Sequence, residues 1–269
     1  MWVIQMLDYK PKKMVHLNAE VTRACNLQCD YCFNDSGVKM PSELKLGEWK
    51  QAIDVTQKYG AESALFTGGE VMARKNSPEI IGYALGRGLR TSILSNGLKL
   101  NGQYGDMLQE LERVQISLDS ASPYSHDVRR GEGSWKVARQ AIDYIRGLDV
   151  PVEISTTISA ERLDELEGLA GIAYLTGSSL LVRPMQSIGR ALGTARQDIN
   201  SAQDINSAIV KKKQRLEDQF GDIFVEDFAH YVPVLGADHD ERMLPEGFVT
   251  VLPDGKIRGT RQSIFELVL

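Results

Sequence analysis

The stretch that organises this chain is VHLNAEVTRACNLQCDYCF, residues 15–33. Its first part, residues 15–21, alternates apolar with other residues, which is typical of a β-strand. Its second part carries Cys25, Cys29 and Cys32, and these are all the cysteines in the 269-residue sequence. The stretch therefore predicts a strand that leads directly into a loop with three closely spaced thiols.

The spacing Cys-x3-Cys-x2-Cys suits an iron–sulfur cluster. Three thiolates from one short loop can each hold one iron of a [4Fe-4S] cubane, which leaves the fourth iron without a protein ligand. An iron of that kind is useful only where another molecule binds it, so the motif indicates a reactive cluster more than a plain electron carrier. Cys25, Cys29 and Cys32 are the candidate metal ligands and catalytic residues.

Other interpretations of the cysteines are open. Cys29 and Cys32 alone form a Cys-x-x-Cys pair of the thioredoxin type, which would leave Cys25 without a role. A structural zinc site needs four ligands, so the fourth would come from a carboxylate or from one of four histidines. Three unrelated buried thiols would leave the spacing unexplained.

The composition bounds the class of protein. A chain of 269 residues with 42% hydrophobic residues can bury one large α/β domain, with or without a small appendage. A net charge of −5 predicts no nucleic-acid partner. No apolar run is long enough to cross a membrane, and residues 1–13 lack the core of a signal peptide. Clustered free thiols fit a reducing compartment, so we expect a cytoplasmic protein without a membrane partner.

After the cysteine loop, predicted strands and helices alternate. The further strands are predicted at residues 63–67, 90–94, 114–118, 152–158 and 179–183. The helices are predicted at about 47–59, 78–87 and 102–111, from residue 134 onward, and around 163–170. Such alternation predicts an α/β fold with a parallel sheet and helices outside it. Six units of this kind form either an open doubly wound sheet or a partial barrel.

Polar residues follow several predicted strands at their carboxyl ends, where parallel sheets bind ligands. They are Gly68, Gly69 and Glu70 after the second strand, Ser95 and Asn96 at the third, Ser117 and Asp119 at the fourth, and Arg183 at the sixth. Because these ends meet at one edge of the sheet, we expect a single site there together with the cysteines.

A different pattern begins after the sixth strand. Residues 186–200 are polar and irregular, and residues 201–220 predict a helix that starts with a capping box. Residues 248–252 predict a strand before a turn. We therefore expect a lead-in at residues 1–13, a core domain at 14–195 and a C-terminal appendage at 196–269, which makes the whole chain α/β with a small α+β appendage.

The cysteine motif, the Gly-Gly-Glu at 68–70 and the Ser-Asn-Gly at 95–97 resemble the radical S-adenosylmethionine (SAM) superfamily. The resemblance covers about residues 14–190 and implies a partial (β/α)6 barrel, similar to a TIM barrel. It implies one [4Fe-4S] cluster with SAM bound at the open iron. In that family SAM is cleaved reductively to a 5′-deoxyadenosyl radical, which removes a hydrogen from the substrate. An external electron donor of flavodoxin or ferredoxin type is implied as well.

The same resemblance implies contacts between individual residues and SAM. Gly68, Gly69 and Glu70 would meet the methionine amino group. The other implied contacts are Ser95 and Asn96 beside the methionine, Ser117 and Asp119 at the ribose and carboxylate, Arg130 (or its neighbour Arg129) at the methionine carboxylate, Tyr31 and Phe33 near the adenine, and Arg183 at the end of the sixth strand.

Two later stretches resemble the peptide- and protein-modifying branch that carries a C-terminal SPASM domain. Residues 182–191 end in Gly-Arg-Ala, and residues 244–257 are similar to the opening hairpin of SPASM. Cysteines flank that hairpin in SPASM, but here Leu244 and then Gly259 or Thr260 stand in their places. We therefore expect a truncated appendage without an auxiliary cluster, which suits redox-neutral reactions such as epimerisation.

The resemblance favours an enzyme that modifies a ribosomally synthesised peptide. A first alternative keeps the radical chemistry but has a small metabolite as substrate, such as a sugar, a nucleoside or a cofactor precursor. A second alternative, from another class, is a non-catalytic zinc-binding scaffold. A charged groove that is open at the barrel mouth would favour a peptide, whereas a closed small pocket would favour a metabolite.

Overall fold

The computed structural model describes residues 16–186, 189–192, 199–225, 248–255 and 257–259. Within these ranges the strands are β1 (His16–Glu20), β2 (Ser63–Thr67), β3 (Arg90–Ser95), β4 (Arg113–Ser117), β5 (Val152–Ile158), β6 (Ser179–Pro184), β7 (Phe248–Val251) and β8 (Ile257–Gly259). The helices are α1 (Leu46–Lys58), α2 (Ser77–Gly86), α3 (Gly105–Gln109), α4 (Pro123–Arg130), α5 (Ser134–Gly147), α6 (Glu165–Thr176) and α7 (Ile199–Phe220). The expected lead-in at 1–13 lies outside the described residues.

One sheet contains all of these strands, in the order β6-β5-β4-β3-β2-β1-β7-β8. Strands β1 to β6 pair in parallel with their neighbours, as does β7 with β1, and β8 is antiparallel to β7. Among the described strands β6 and β8 are the two edges, so the sheet is open. The predicted α/β fold with a parallel, incompletely closed sheet is confirmed.

The C-terminal hairpin continues this main sheet. The sequence pattern predicts residues 248–252 as part of an appendage, but the register sets Phe248 beside His16 and Val251 beside Ala19. The outer side of β1 needs a hydrogen-bonding partner because its other side is taken by β2, and β7 supplies it. The chain division at residue 195 stays a prediction, whereas β7 belongs to the sheet of the core.

The sheet has one apolar and one polar face, because successive side chains of a strand point to opposite sides. Leu17, Phe66, Ile93 and Ile116 lie on the apolar face and are fully buried. The register places polar residues side by side on the other face, which we call the polar face. Its members include Asn18, Glu20, Ser92, Arg113, Gln115, Ser117, Glu153, Ser155 and Arg183.

Most helices lie where the apolar period predicts them. In α5 the buried residues Ala138, Ala141, Ile142 and Ile145 recur at the spacing of one helix face. The helix predicted at 102–111 is shorter, since a 3-10 turn precedes α3. Helix α4 was not predicted because most of its residues are polar, although an N-cap serine followed by proline is a start signal.

The β6 edge is partly covered by the chain that follows α7. The amide of Leu180 donates to the carbonyl of Ile223 at 2.7 Å, and the amide of Val225 donates to the carbonyl of Leu180 at 3.1 Å. Pairing of this kind protects an edge strand from other chains. In the part of the chain that the structure describes, no helix combines the length and apolar character needed to cross a membrane.

Candidate active site

The three cysteines lie in the loop after β1, at the carboxyl end of the sheet, as the sequence predicts. All three are free thiols that are partly exposed. The amide of Leu27 donates to Sγ of Cys25 at 3.4 Å, and the amide of Ser36 donates to Sγ of Cys32 at 3.3 Å. Hydrogen bonds from backbone amides to cysteine sulfur help to set the reduction potential of iron–sulfur clusters. The loop therefore already contains hydrogen bonds of the kind found around such clusters.

The donor set fits a cluster in which each thiolate holds its own iron. Across the described ranges, no three His, Cys, Asp or Glu side chains converge on one metal ion. A cubane does not require that convergence, because its ligands bind separate irons. Burial raises the pKa of the Cys25 thiol to about 11, so an iron that binds there would have to displace the proton.

Residues 25–37, which we call the cluster loop, are closed at their base by backbone hydrogen bonds. The amide of Cys25 donates to the carbonyl of Gly37, and the amide of Gly37 donates to the carbonyl of Arg23, both at 3.0 Å. Nη1 of Arg23 also donates to the carbonyl of Asn34 at 2.5 Å. The first cysteine is therefore fixed by the base of the loop.

The Gly-Gly-Glu segment after β2 lies against the start of the cluster loop. The amide of Gly69 donates to the carbonyl of Thr22 at 2.7 Å, and the amide of Glu70 donates to the carbonyl of Ala24 at 2.8 Å. A β-carbon on Gly68 would stand 2.5 Å from the carbonyl oxygen of Thr22. The two glycines thus allow two backbones to approach to hydrogen-bonding distance.

Gly69→Ala is expected to destabilise this junction by about 1–3 kcal/mol. The new β-carbon would lie 2.5 Å from the carbonyl oxygen of Ala24, which is backbone and has no rotamer to change. Urea denaturation of both proteins measures the effect. Gly82→Ala is the matched control, because nothing lies within 4 Å of a β-carbon at that position in α2. Equal stability of the two variants would show that the Gly-Gly-Glu segment can move away from residues 22–24 without cost.

The carboxylate of Glu70 joins the ends of β2 and β3. Its Oε1 accepts from the amide of Met72 at 3.1 Å and from Oγ of Ser95 at 2.8 Å, and Oε2 accepts from the amide of Asn96 at 2.7 Å. Burial raises the pKa of Glu70 to about 7. Nδ2 of Asn96 lies 4.0 Å from Sγ of Cys25. The structure therefore brings these predicted site residues together beside the first cysteine.

Asp119 forms a buried ion pair just beyond β4. Nε of Arg130 donates to its Oδ2 at 2.6 Å and Nη2 donates to Oδ1 at 3.1 Å, while the amide of Thr157 donates to Oδ1 at 3.2 Å. The hydroxyl of Tyr31 donates to the same carboxylate. Burial alone would raise the pKa of Asp119, but the Arg130 guanidinium outweighs burial and lowers it below its usual range.

The remaining residues that the sequence predicts to bind SAM differ in their surroundings. Tyr31, Asp119 and Arg130 contact one another, and their proposed contacts with SAM stay predictions. Phe33 is 38% exposed on the cluster loop. Ser117 ends β4 and is partly exposed. Arg183 donates to Oγ of Ser155 at 2.5 Å and to Oε1 of Gln115 at 3.3 Å, so its side chain lies across the polar face.

The sequence profile of the radical SAM superfamily matches residues 19–170, from β1 through the cluster loop into α6. The chain belongs to the radical SAM superfamily. Its cofactors are those of the family, a [4Fe-4S] cluster and SAM, as the resemblance implies. Cys25, Cys29 and Cys32 are the residues that would hold the cluster, and the loop geometry above fits that assignment.

Two curated relatives match over about two thirds of this chain. The AdoMet-dependent heme synthase of Nitratidesulfovibrio vulgaris is 30% identical over 189 residues, which cover 68% of this chain and 52% of the relative. The mycofactocin maturase MftC of Mycolicibacterium smegmatis is 29% identical over 177 residues, which cover 65% of this chain and 45% of the relative. The chain spans about half the length of these relatives.

A solved structure supports the fold. SuiB of Streptococcus suis, crystallised bound to the precursor peptide SuiA, matches with a TM-score of 0.70. The match covers 94% of this chain and 63% of SuiB, at 12% sequence identity. Similarity at this level of identity establishes a shared architecture, which agrees with the open parallel sheet.

Two arginines of this radical SAM protein contact the cluster loop in ways that sequence analysis did not assign. The carbonyl of Arg129 accepts from the amide of Asp30 at 3.1 Å, and its guanidinium lies 3.9 Å from the centre of the Tyr31 ring. Such stacking of a guanidinium on an aromatic ring is stabilising. Arg190 is the second, and the sequence showed it only as part of the Gly-Arg-Ala resemblance. The sequence spacing could not show that Arg129 and Arg190 contact the cluster loop, because both contacts join segments that are distant in the chain.

Compared with the native protein, His126→Gln is expected to gain stability at pH 5 relative to pH 7. Burial, and then the charge of Arg130, lower the pKa of His126 from 6.5 to about 4. Its Nδ1 accepts from the amide of Asp119 at 3.1 Å. The unfolded state therefore binds a proton at His126 first, so the contribution of this residue to stability falls as pH falls below 6.5, by roughly 2 kcal/mol at pH 5.

Urea denaturation at both pH values measures this effect in the native protein and the variant. Asp119 and Asp127 oppose the shift, and Arg162 adds to it, so these three residues are kept unchanged. The same pH dependence of stability in the variant and the native protein would show that His126 does not contribute to it.

Proposed function

We propose that this chain is a radical SAM enzyme that removes a hydrogen atom from a ribosomally synthesised peptide. When bound, the cluster and SAM supply the 5′-deoxyadenosyl radical that is characteristic of the family. Cys25, Cys29 and Cys32 would hold the cluster at the carboxyl end of the sheet. An external flavodoxin- or ferredoxin-type protein would supply the electron.

The observation that favours a peptide is the row of hydrogen-bonding side chains on the polar face of the sheet, most of which are buried. Gln115, Ser155 and Arg183 lie together there, and the Arg183 guanidinium donates hydrogen bonds to Oγ of Ser155 and to Oε1 of Gln115. Nε of Arg113 lies 3.6 Å from Oε2 of Glu153 on the same face. Donors and acceptors that run across several strands suit a peptide, because its backbone presents amide and carbonyl groups at regular intervals.

The names of the relatives also favour a peptide substrate. MftC is named as a maturase, and SuiB was crystallised with a precursor peptide. The similarity to a heme synthase favours one second candidate, a cofactor precursor of the tetrapyrrole type. Both candidates share the cluster and the first hydrogen abstraction, so the substrate distinguishes them.

We expect deuterium to move from a deuterated precursor peptide into 5′-deoxyadenosine. The anaerobically reconstituted protein is incubated with SAM, a chemical reductant and each candidate peptide, and both products are analysed by mass spectrometry. A coupled mass change in the peptide supports the assignment. Transfer from a deuterated tetrapyrrole precursor, with none from any peptide, would support the second candidate instead. A matching peptide without deuterium gives the background from solvent.

A further inference from the structure

The segment that follows β6 covers the second half of the cluster loop. Its residues Gly189–Ala191 form one turn of 3-10 helix. The turn lies on Cys32 and Phe33, which are more than 150 positions earlier in the chain. Cys32 is a cluster ligand in the assignment above, so the turn contacts the metal-binding loop directly.

Arg190 contacts four groups of the cluster loop. Its Nε donates to the carbonyl of Cys29 at 2.8 Å, and its backbone amide donates to the carbonyl of Cys32 at 3.0 Å. Its Nη1 donates to the carbonyl of Ser36 at 2.8 Å and to Oδ1 of Asp35 at 2.9 Å. Two of the four acceptors are thus the carbonyls of the second and third cysteines.

Gly189 lets this turn come so close. Its φ is +60°, a conformation that residues with a side chain rarely adopt. A β-carbon at this position would also lie 2.3 Å from the carbonyl oxygens of both Cys32 and Phe33. Glycine is therefore required by the backbone conformation and by the contact together.

The other end of the cluster loop is fixed independently. Cys25 is held at the base of the loop through Gly37 and Arg23, on the side that faces β2. Between that base and Arg190, the amide of Cys32 donates to the carbonyl of Cys29 at 3.2 Å. Arg190 binds the carbonyl of Cys29 through its side chain and the carbonyl of Cys32 through its backbone amide. It therefore fixes the orientation of the turn that sets the distance between the thiols of Cys29 and Cys32.

We propose that Gly189 and Arg190 form a clamp that positions Cys29 and Cys32 to bind the cluster. Arg190 is a positioning residue in this role, since it acts through the loop backbone. The proposal rests on the proposed function only in taking the cysteines as cluster ligands, and it is independent of the substrate. It also links the end of β6, on the polar face, to the cluster loop.

An arginine suits this clamp better than a lysine. The planar guanidinium carries donors that point in different directions, so Nε and Nη1 reach the carbonyls of Cys29 and Ser36 at once. A lysine ammonium is a single point on a flexible chain and would reach only part of this set. Arg190→Lys is therefore a conservative variant that should restore part of what Arg190→Gln removes.

Amide hydrogen exchange of the cluster-free protein tests the clamp without any activity. In Arg190→Gln we expect the amides of Cys32 and Asp35 to exchange about tenfold faster, which is the scale of a lost hydrogen bond to a charged group. The amide of Cys25 should keep its native rate. Arg190→Lys should fall between. Arg87→Gln is the matched control, because Arg87 is a half-exposed arginine paired with Asp54 on α1, far from the loop.

Iron content after reconstitution is the second measurement. We expect Arg190→Gln to retain less than half of the iron of the native protein and of Arg87→Gln, with Arg190→Lys in between. Native exchange rates at Cys32 in Arg190→Gln would overturn the clamp, as would faster exchange of equal size at Cys25. Failure of every candidate peptide to react would overturn only the proposed substrate, since neither measurement uses one.

Discussion

Cys29→Ala is expected to abolish the formation of 5′-deoxyadenosine and to lower bound iron to near background. Each thiolate of the cluster loop would hold a different iron, so removal of one would leave a cubane with two protein ligands and two exposed irons. Three cysteines are present in the whole sequence, so no spare thiol can take its place. Iron analysis, the absorbance of the reconstituted protein and SAM turnover measure the effect.

Gln28→Ala is the matched control for this experiment. Gln28 is the exposed neighbour of Cys29 in the same loop, so its truncation changes the loop surface and leaves all three thiols in place. We expect native iron content and native SAM turnover in this variant. Retained 5′-deoxyadenosine formation in Cys29→Ala would contradict the assignment of the cluster ligands and with it the proposed chemistry.

The sequence predicts the sheet well because its strands carry a strong local signal. Strands such as β4 and β5 bury Ile116 and Ile154 on one face and place Gln115 and Glu153 on the other. This alternation is visible without knowledge of the fold. The position of β7 was not predictable in the same way, since no local pattern tells a strand which neighbour it will pair with. Its parallel pairing with β1 joins segments that are more than 200 residues apart.

The sequence also predicted which residues gather at the carboxyl edge, but not what they touch there. The resemblance implies that Glu70 meets the methionine amino group of SAM, and this stays a prediction. The donors from which its oxygens accept, in Met72, Ser95 and Asn96, were not predicted. Residue type and strand position locate a carboxylate to within a few ångströms, whereas a hydrogen bond is decided by less than one ångström. The same limit explains why Arg190, which follows β6, could not be assigned to the cluster loop.

A buried carboxylate with several donors can organise a site without touching the substrate. Asp119 joins three separate segments, since it binds Tyr31 of the cluster loop, Arg130 at the end of α4 and the amide of Thr157 in β5. Arg129 adds its guanidinium to the Tyr31 ring. The ion pair therefore supports the cluster loop through Tyr31, which lies between Cys29 and Cys32 in the sequence.

Asp119→Asn is expected to destabilise the protein by about 3–5 kcal/mol, because it leaves the Arg130 charge buried without its partner. The side chains of Arg130 and Asp119 are 10% and 0% exposed, so water cannot replace the lost carboxylate. The amide also presents an NH₂ group to donors that need an acceptor. We expect the cluster loop to loosen as well, since the Tyr31 hydroxyl loses its strongest acceptor.

The control for this variant is Asp143→Asn, which breaks the exposed ion pair between Asp143 and Arg139 on α5. An exposed pair of this kind contributes little to stability, so we expect near-native urea denaturation. The double variant Asp119→Asn/Arg130→Met removes the unpaired charge and should recover part of the loss. If Asp119→Asn costs no more than Asp143→Asn, or if the double variant recovers nothing, the buried charge is not what holds this side of the cluster loop.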